Sequence, residues 1–465
     1  MSTDDFRRHG HAIIDWIADY IDNVQDYPVE SQVAPGAIRA LMPTSAPEES
    51  EAFEDILADV DRIVMPGITH WQSPNWFAFF PASSSAPAIL GDLVSSGLGV
   101  QGMLWATSPA CTEVESVVMD WLVELLDLPD WWRTTQQGGG VLQMSASDST
   151  HTALVVARHL ANEAGHADET LVAYTSGQAH SSIEKGARVS GYGYVRKIEV
   201  DNEFALVPAA LVAAIAADRA AGLHPTFINS SVGTTATTAV DPVRSIGEIA
   251  RRQGMWHHVD AAFAGSAMIC PEFRPHQDGL ELVDSYVFNP HKWLLTNFDC
   301  SAFFVADRKP LLETLSILPP YLRNEASESG AVIDYRDWHV PLGRRFRALK
   351  LWFVLRSYGA EGLRAHIRNH VEMAKGFESK VIDDPRFELF SPTFFSLVCF
   401  KHGAGNEATD TLASAINATG KVAITRSEIN GESFIRVAVG STYTQQEHVD
   451  GLWALIDELA PAPPG

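Results

Sequence analysis

Between about residues 86 and 306 the chain alternates amphipathic stretches with short apolar runs, and this rhythm limits the possible folds more than any other feature. The apolar runs are LVAY (171–174), TFINSS (226–231), MWHHVD (255–260), SYVFN (285–289) and SAFFVA (301–306). Helical spacing marks 109–127, 148–164, 180–189, 208–220 and 243–252 between them. Strands that alternate with helices of this length predict an α/β unit with a largely parallel sheet. Such sheets bind ligands beyond the carboxyl ends of their strands, so polar residues just past these runs become the candidates for chemistry.

The flanks read differently. Residues 3–23 place Ile13, Ile14, Trp16, Ile17, Tyr20 and Ile21 at helical spacing, and Tyr27-Pro28 marks the exit. A second helix fits 49–64, ending before Pro66-Gly67, with Pro- and Ser-rich loops at 33–47 and 66–87. An arm of this kind has little core of its own and is expected to pack on a partner subunit. After the alternating region, 316–341 is a long charged loop, of the length usually reserved for function. Helices at 343–358 and 360–381 follow, then strands at 394–400 and 433–439 and helices at 406–418 and 444–459, a small α/β domain. The expected division is a helical dimerisation arm (1–85), a large domain (86–359) and a small C-terminal domain (360–465).

Charge and cysteine usage exclude several classes of function. A formal net charge of −24 argues against nucleic acid or an anionic membrane as partner, because both need a basic face. The four cysteines, Cys111, Cys270, Cys300 and Cys399, form no C-x-x-C pair, so neither a zinc site nor a disulfide framework is expected. The opening MSTDDFRRHGHAIIDW has no apolar signal core, and no run of 18 apolar residues could span a bilayer. The expectation is a cytoplasmic enzyme without a metal.

The chemistry concentrates past the strand ends. In NPHKW (289–293), Lys292 follows an apolar strand between His291 and Trp293. A lone lysine is ordinarily a solvated amine, but partial desolvation here would disfavour the ammonium and free the amine for Schiff-base chemistry. Asp260 closes MWHHVD and precedes Ala261 and Ala262. A strand-end turn would explain it; so would the need of pyridoxal phosphate (PLP) for a carboxylate at its pyridine nitrogen, with small neighbours admitting a flat ring. GGGVLQMSASDST (138–150) joins a glycine run to a helix start, where Ser147 could cap the helix or help hold a phosphate. His180, at another helix start, could be structural, stack on a ring or relay a proton.

Six blocks in order, THWQSPNWFAFFP (69–81), SPACTEVE (108–115), QAHSSIEKG (178–186), HVDAAFAGSAMICPEFR (258–274), FNPHKWLLTNFDCSA (288–302) and PLGRRFRALKLWFVLRSYG (341–359), make the chain resemble the aromatic L-amino-acid decarboxylases. These are group II PLP decarboxylases of fold type I, and the resemblance runs from about residue 6 to 455. NPHKW followed by FDC is its most specific part. The resemblance implies that Lys292 carries PLP, that Asp260 pairs with the pyridinium, and that His180 stacks on the ring face opposite Ala262. It implies Ala146, Ser147 and Asn289 at the phosphate and Thr235 near the ring's polar edge. Tyr321, in the long loop, would return a proton to the α-carbon. Trp71, Phe79, Phe80 and, from a second subunit, Gln101 and Met103 would line the substrate pocket of a homodimer.

Some positions depart from the family pattern. Ala82 stands where many relatives have threonine, Phe79 replaces a common tyrosine and Met103 a common phenylalanine, giving a greasier pocket. Gly343 matches a position where plant relatives carry glycine for indole substrates and serine for phenolic ones, though a tight turn before a helix would also explain it. Within the family, an aldehyde synthase is the nearest rival, but it typically has phenylalanine in place of the loop tyrosine. An aminotransferase would cast Arg436 as a carboxylate anchor, and a non-catalytic scaffold would not need Lys292, Asp260, His180 and Tyr321 together.

Overall fold

The structure, a computed structural model, describes residues 1–317 and 332–462. The chain divides into two compact units, one of residues 1–81, 376–390 and 399–465, the other of 82–375 and 391–398.

The first unit opens with α1 (Thr3–Asn23), whose N-cap Ser2 and Asp5 form a reciprocal capping box. Two short helices follow, α2 (Ala37–Leu41) and α3 (Phe53–Asp59). The helix expected over 49–64 is therefore a single α segment that passes into a wider π turn over Val60–Val64.

The second unit begins with a helix absent from the sequence reading, α4 (Ala86–Leu98), which has proline in its first turn and left-handed Gly99 as its C-cap. Next come α5 (Pro109–Leu125), capped by Ser108, β1 (Gly139–Gln143), α6 (Ala146–Glu163) and β2 (Leu171–Ser176). The alternation continues through α7 (Ser182–Val189), β3 (Tyr194–Ile198), α8 (Pro208–Ala220), β4 (His224–Ser231), α9 (Val243–Gln253) and β5 (Trp256–Asp260). It closes with β6 (Ser285–Phe288), the one-turn α10 (Pro290–Trp293), β7 (Ser301–Val305) and α11 (Arg308–Leu315). The seven strands lie in the order β1-β7-β6-β5-β4-β2-β3. β3, β2, β4, β5 and β6 run parallel to one another, and β7 is inserted antiparallel to both β6 and β1. Every residue of β1, β2, β5, β6 and β7 is buried, as expected for strands covered on both faces. Only the edge strand β3 is largely open.

Part of the long loop proves to be ordered core. Tyr335–Trp338 forms a 3-10 turn in which Tyr335 and Trp338 are buried. The glycine run at 138–140 serves packing. A Cβ on Gly138 would sit 2.4 Å from the Val305 carbonyl, and one on Gly140 2.4 Å from Met119. The helix that follows, α12 (Arg347–Asp383), breaks at Gly359 (φ 62°, ψ 170°), where two helices were expected to meet. The remaining elements, β8 (Phe387–Leu389), β9 (Leu397–His402), α13 (Asn406–Ala418), β10 (Thr425–Ile429), β11 (Glu432–Ala438) and α14 (Gln446–Leu459), include a four-stranded sheet in the order β10-β11-β9-β8. Among the described residues, no helix is long and apolar enough to cross a membrane, and all four cysteines are buried and outside any disulfide.

Candidate active site

Parallel strands bring their carboxyl ends to one edge, and the residues singled out past those ends converge there. Asp260 is the last residue of β5 and only 6% exposed. Its Oδ1 accepts the backbone N–H of Ala262 at 3.0 Å, so a strand-end turn does form, but it engages one oxygen only. The carbonyl of Ala262 in turn accepts the N–H of Asn289 at 3.0 Å, and the carbonyl of Asn289 accepts that of Lys292 at 2.9 Å. A chain of main-chain hydrogen bonds thus fixes Lys292 relative to Asp260. Lys292 itself is half-buried between buried His291 and Trp293. On the other side, the Asp260 carbonyl accepts the N–H of Val232, which opens the turn carrying exposed Thr235.

The turn of Lys292 is clamped from residues the sequence reading passed over. Ser83 Oγ donates to the Lys292 carbonyl at 2.6 Å, its N–H donates to the His291 carbonyl, and Ser85 Oγ donates to the Leu295 carbonyl at 2.6 Å. The serine run 83–85, directly before a proline-started helix, was the available signal. His291 Nδ1 accepts the N–H of Cys300 at 2.9 Å, and burial pushes this imidazole down to about 3, which keeps it neutral.

His180 stands in the turn between β2 and α7 and lies open to the cleft. Its Nδ1 accepts the N–H of Ser182 at 3.1 Å, so the neutral ring carries its proton on Nε2, facing away from that turn. The packed protein around the ring lowers its pKa; the charge of Asp260 opposes this and that of Lys292 adds to it. The three residues therefore share one electrostatic site.

Ser147 does not cap its helix. Ser145 does, its Oγ accepting the Asp148 N–H at 3.2 Å, which leaves Ser147 exposed in the first turn beside buried Ala146. A cleft of about 380 Å³ joins Ser147 and Asp148 to His151, His180 and Ser181.

The pocket candidates fall in both units. In the first, Trp71 and Phe79 stack with centroids 5.7 Å apart, and the Arg436 guanidinium lies 5.3 Å from the Phe80 ring centroid. In the second, Ala82 precedes the serine clamp, and Gln101 and Met103 sit on a pinned segment. Gln101 Oε1 accepts the N–H of Arg344 at 2.6 Å, and the Met103 carbonyl accepts that of Arg336 at 3.0 Å. Behind them Arg344 and Glu115 form an ion pair of 2.6 Å with both side chains fully buried. Gly343 has no left-handed φ, and a Cβ there would meet only Gln101 Nε2 at 3.5 Å. The turn does not require glycine. Tyr321 lies outside the described residues.

The donor set suits PLP. A carboxylate has one oxygen free of the turn, a half-buried amine is close enough to act on the same histidine, and an alanine lies between carboxylate and asparagine. Asn289 Oδ1 is buried and has no partner among the described residues, as a group awaiting a polar ligand would be.

Residues 35–403 match the family model described as the pyridoxal-dependent decarboxylase conserved domain. The chain belongs to that family. It is 45% identical to the aromatic-L-amino-acid decarboxylase of Rattus norvegicus, over 99% of this chain and 98% of that one. It is 44% identical to the phenylacetaldehyde synthase of Arabidopsis thaliana, over 99% and 96%. A crystal structure of Oryza sativa TDC with PLP and tryptamine superposes with a TM-score of 0.97 at 42% identity, covering 99% of this chain and 98% of that one. The expected fold, PLP fold type I, and the expected cofactor are thereby established.

Proposed function

We propose that this PLP-dependent carboxy-lyase converts aromatic L-amino acids to the corresponding arylalkylamines and CO2. The observation that carries the reading is the hydrogen-bonded chain that fixes Lys292 relative to Asp260 at the carboxyl edge of the sheet, with His180 in the field of both. PLP, when bound, supplies the sink for the electron pair left on the α-carbon as CO2 departs. Lys292 is the residue to hold the cofactor aldehyde and to exchange it for the substrate amine. Asp260 keeps the proton on the pyridine nitrogen, which the acceptor Oδ2 can do only as a carboxylate. His180, neutral above its lowered pKa, offers a flat face and an Nε2–H to the cleft. The main-chain N–H groups of Ala146 and Ser147 suit a phosphate at the start of α6, with Asn289 and Thr235 as further polar contacts. Tyr321 is assigned by resemblance the return of a proton to the α-carbon.

The pocket assigned to Trp71, Phe79, Phe80, Ala82, Gln101, Met103 and Gly343 favours broad apolar rings. Such a pocket discriminates against an added hydroxyl only weakly, by about a hundredfold at most. Tryptophan, phenylalanine and tyrosine are therefore all substrates in this reading, with Dopa and 5-hydroxytryptophan following them. The aldehyde synthase reading is favoured by the likeness to the Arabidopsis thaliana enzyme and opposed by Tyr321.

The same reading makes the protein a cytoplasmic homodimer divided into the arm, large domain and small domain given above. Leu90, Leu93, Val94 and Leu98 form an exposed apolar stripe on one face of α4, which supports a second copy as its cover. The test is an amine and CO2 assay of the holoenzyme on tryptophan, phenylalanine, tyrosine and Dopa. Stoichiometric amine with no peroxide is expected; aldehyde and peroxide in place of amine would select the synthase.

A further inference from the structure

A second cleft, of about 550 Å³, opens among the amino ends of β4 and β5, the C-terminal turn of α9 and the start of α11. It lies at the opposite edge of the sheet from Lys292, because β4 and β5 run parallel and carry the site residues at their other ends. The wall is built of small and aromatic groups, Ala157 and Ala161 on α6 with Trp131 and Trp256, and the polar groups include Arg251 and Asp284. Trp131 is a large indole left 39% exposed on this rim.

Arg251 and Asp284 are near enough for the arginine to act on the carboxylate, yet each is bonded elsewhere. Arg251 donates Nη2 to the Glu281 carbonyl at 3.2 Å and Nε, at a long 3.5 Å, to that of Leu282. Asp284 Oδ2 accepts the N–H of His257 at 2.8 Å. Among the described residues, Arg251 Nη1 and Asp284 Oδ1 have no such bond. Burial pushes the Asp284 carboxyl up to about 6, so its charged form is held at a cost that a cation would relieve. A cleft with an unbridged cation and anion, an indole and an alanine wall is complementary to one chemical class, a small aromatic zwitterion.

We propose that this cleft is a second, non-catalytic site for an aromatic α-amino acid, its ammonium on Asp284, its carboxylate on Arg251 and its ring against Trp131 and the alanines. The identity of the ligand rests on the substrate class proposed above; the site itself does not use the catalytic residues. It gives the enzyme a sensor of its own substrate on the face remote from turnover.

The probe is labelled L-tryptophan in equilibrium dialysis against holoenzyme reduced with borohydride, which fixes the cofactor on Lys292 and stops consumption. Wild type should still bind at least one equivalent per chain. Asp284→Asn, whose amide oxygen still accepts the His257 N–H, and Trp131→Ala should each weaken one class of site at least about tenfold. Both variants, unreduced, should keep kcat/KM at low substrate. No bound tryptophan in wild type, or identical isotherms in wild type and both variants, overturns the site. Binding lost in the variants while unreduced wild type decarboxylates none of the four aromatic amino acids supports the site and overturns the functional reading instead.

Discussion

Replacing Asp260 by asparagine preserves its shape and its turn bond to Ala262 while removing the charge that keeps the pyridine nitrogen protonated. The expected loss in kcat is at least about a hundredfold, or about 2.7 kcal/mol of barrier, with near-native circular dichroism. A loss below about tenfold in steady-state assays would identify a different carboxylate as the partner. Tyr321→Phe should divert product from amine toward aldehyde, ammonia and peroxide, since an α-carbon left unprotonated can meet oxygen; a peroxide-coupled assay reads this directly. Gly343 offers a specificity test that its backbone permits. With no left-handed φ and only Gln101 Nε2 near a Cβ, serine fits without strain. Gly343→Ser should lower the ratio of kcat/KM for tryptophan over tyrosine by about tenfold, within the range one or two heavy atoms can shift an apolar pocket. An unchanged ratio would return Gly343 to the role of a turn residue.

Among the elements, the segment 101–105 is held at both sides by parts of the chain more than 200 positions away. Arg344 donates its N–H to Gln101, Asp334 Oδ1 accepts the N–H of Trp105, and the Met103 carbonyl accepts from Arg336. The buried Glu115–Arg344 pair underlies this, with Glu115 Oε1 also accepting the N–H of Leu142 at 2.8 Å. Arg344→Met would strand that carboxylate in the core. The expected cost is on the order of 3–5 kcal/mol, seen as a fall in the urea midpoint, with KM rising more than kcat falls in whatever protein still folds. Helix α4 explains why its sequence was opaque. Its buried face, Ala88, Gly91 and Ser95, is small because α12 lies against it; a Cβ on Gly91 would come within 2.7 Å of Lys350 Cα. Its large residues point outward, which inverts the usual amphipathic pattern.

For the whole molecule, buried titratable groups set an acid limit. His257, His258, His291 and His339 are pushed down to about 3, whereas the unfolded imidazole titrates near 6.5. Below about 6.5 the unfolded chain binds protons the native state refuses, so this stability is complete above that pH and lost as pH falls toward 3. Asp241 and Asp284, pushed up to about 6, act in the opposite sense; the native state holds their protons, and their contribution fades as pH rises through 6. His366, pushed down to about 4, and His370, pushed well down by burial, act in the same sense as the other histidines, so the histidines outnumber the two aspartates and unfolding takes up at least two net protons near pH 5. Urea stability should then fall by at least about 2 kcal/mol per pH unit between about 6 and 4. A flat profile there would contradict the neutral buried imidazoles. Assembly is tested by Leu93→Asp on the exposed stripe of α4, which should yield a monomer in sedimentation and lose most activity.

The class of fold and most of the chemistry can be read along the chain. Strand runs, helix spacing and the motifs around Lys292, Asp260 and His180 are local properties, set by side-chain periodicity and by which residues can act as amine, carboxylate or imidazole. Tertiary structure decided which of those residues meet. Strand order is not written in any one segment: β7 inserts between β1 and β6, although β1 lies more than 130 residues earlier in the chain. Only that arrangement brings the ends of β1, β2, β4, β5 and β6 to one edge. It also decided that Ser145 caps α6 and leaves Ser147 exposed, and that the glycines at 138–140 admit neighbouring chain rather than a ligand. The cleft around Asp284 and Arg251 was invisible for the same reason, because its walls come from elements whose proximity follows from packing, not from any pattern along the chain.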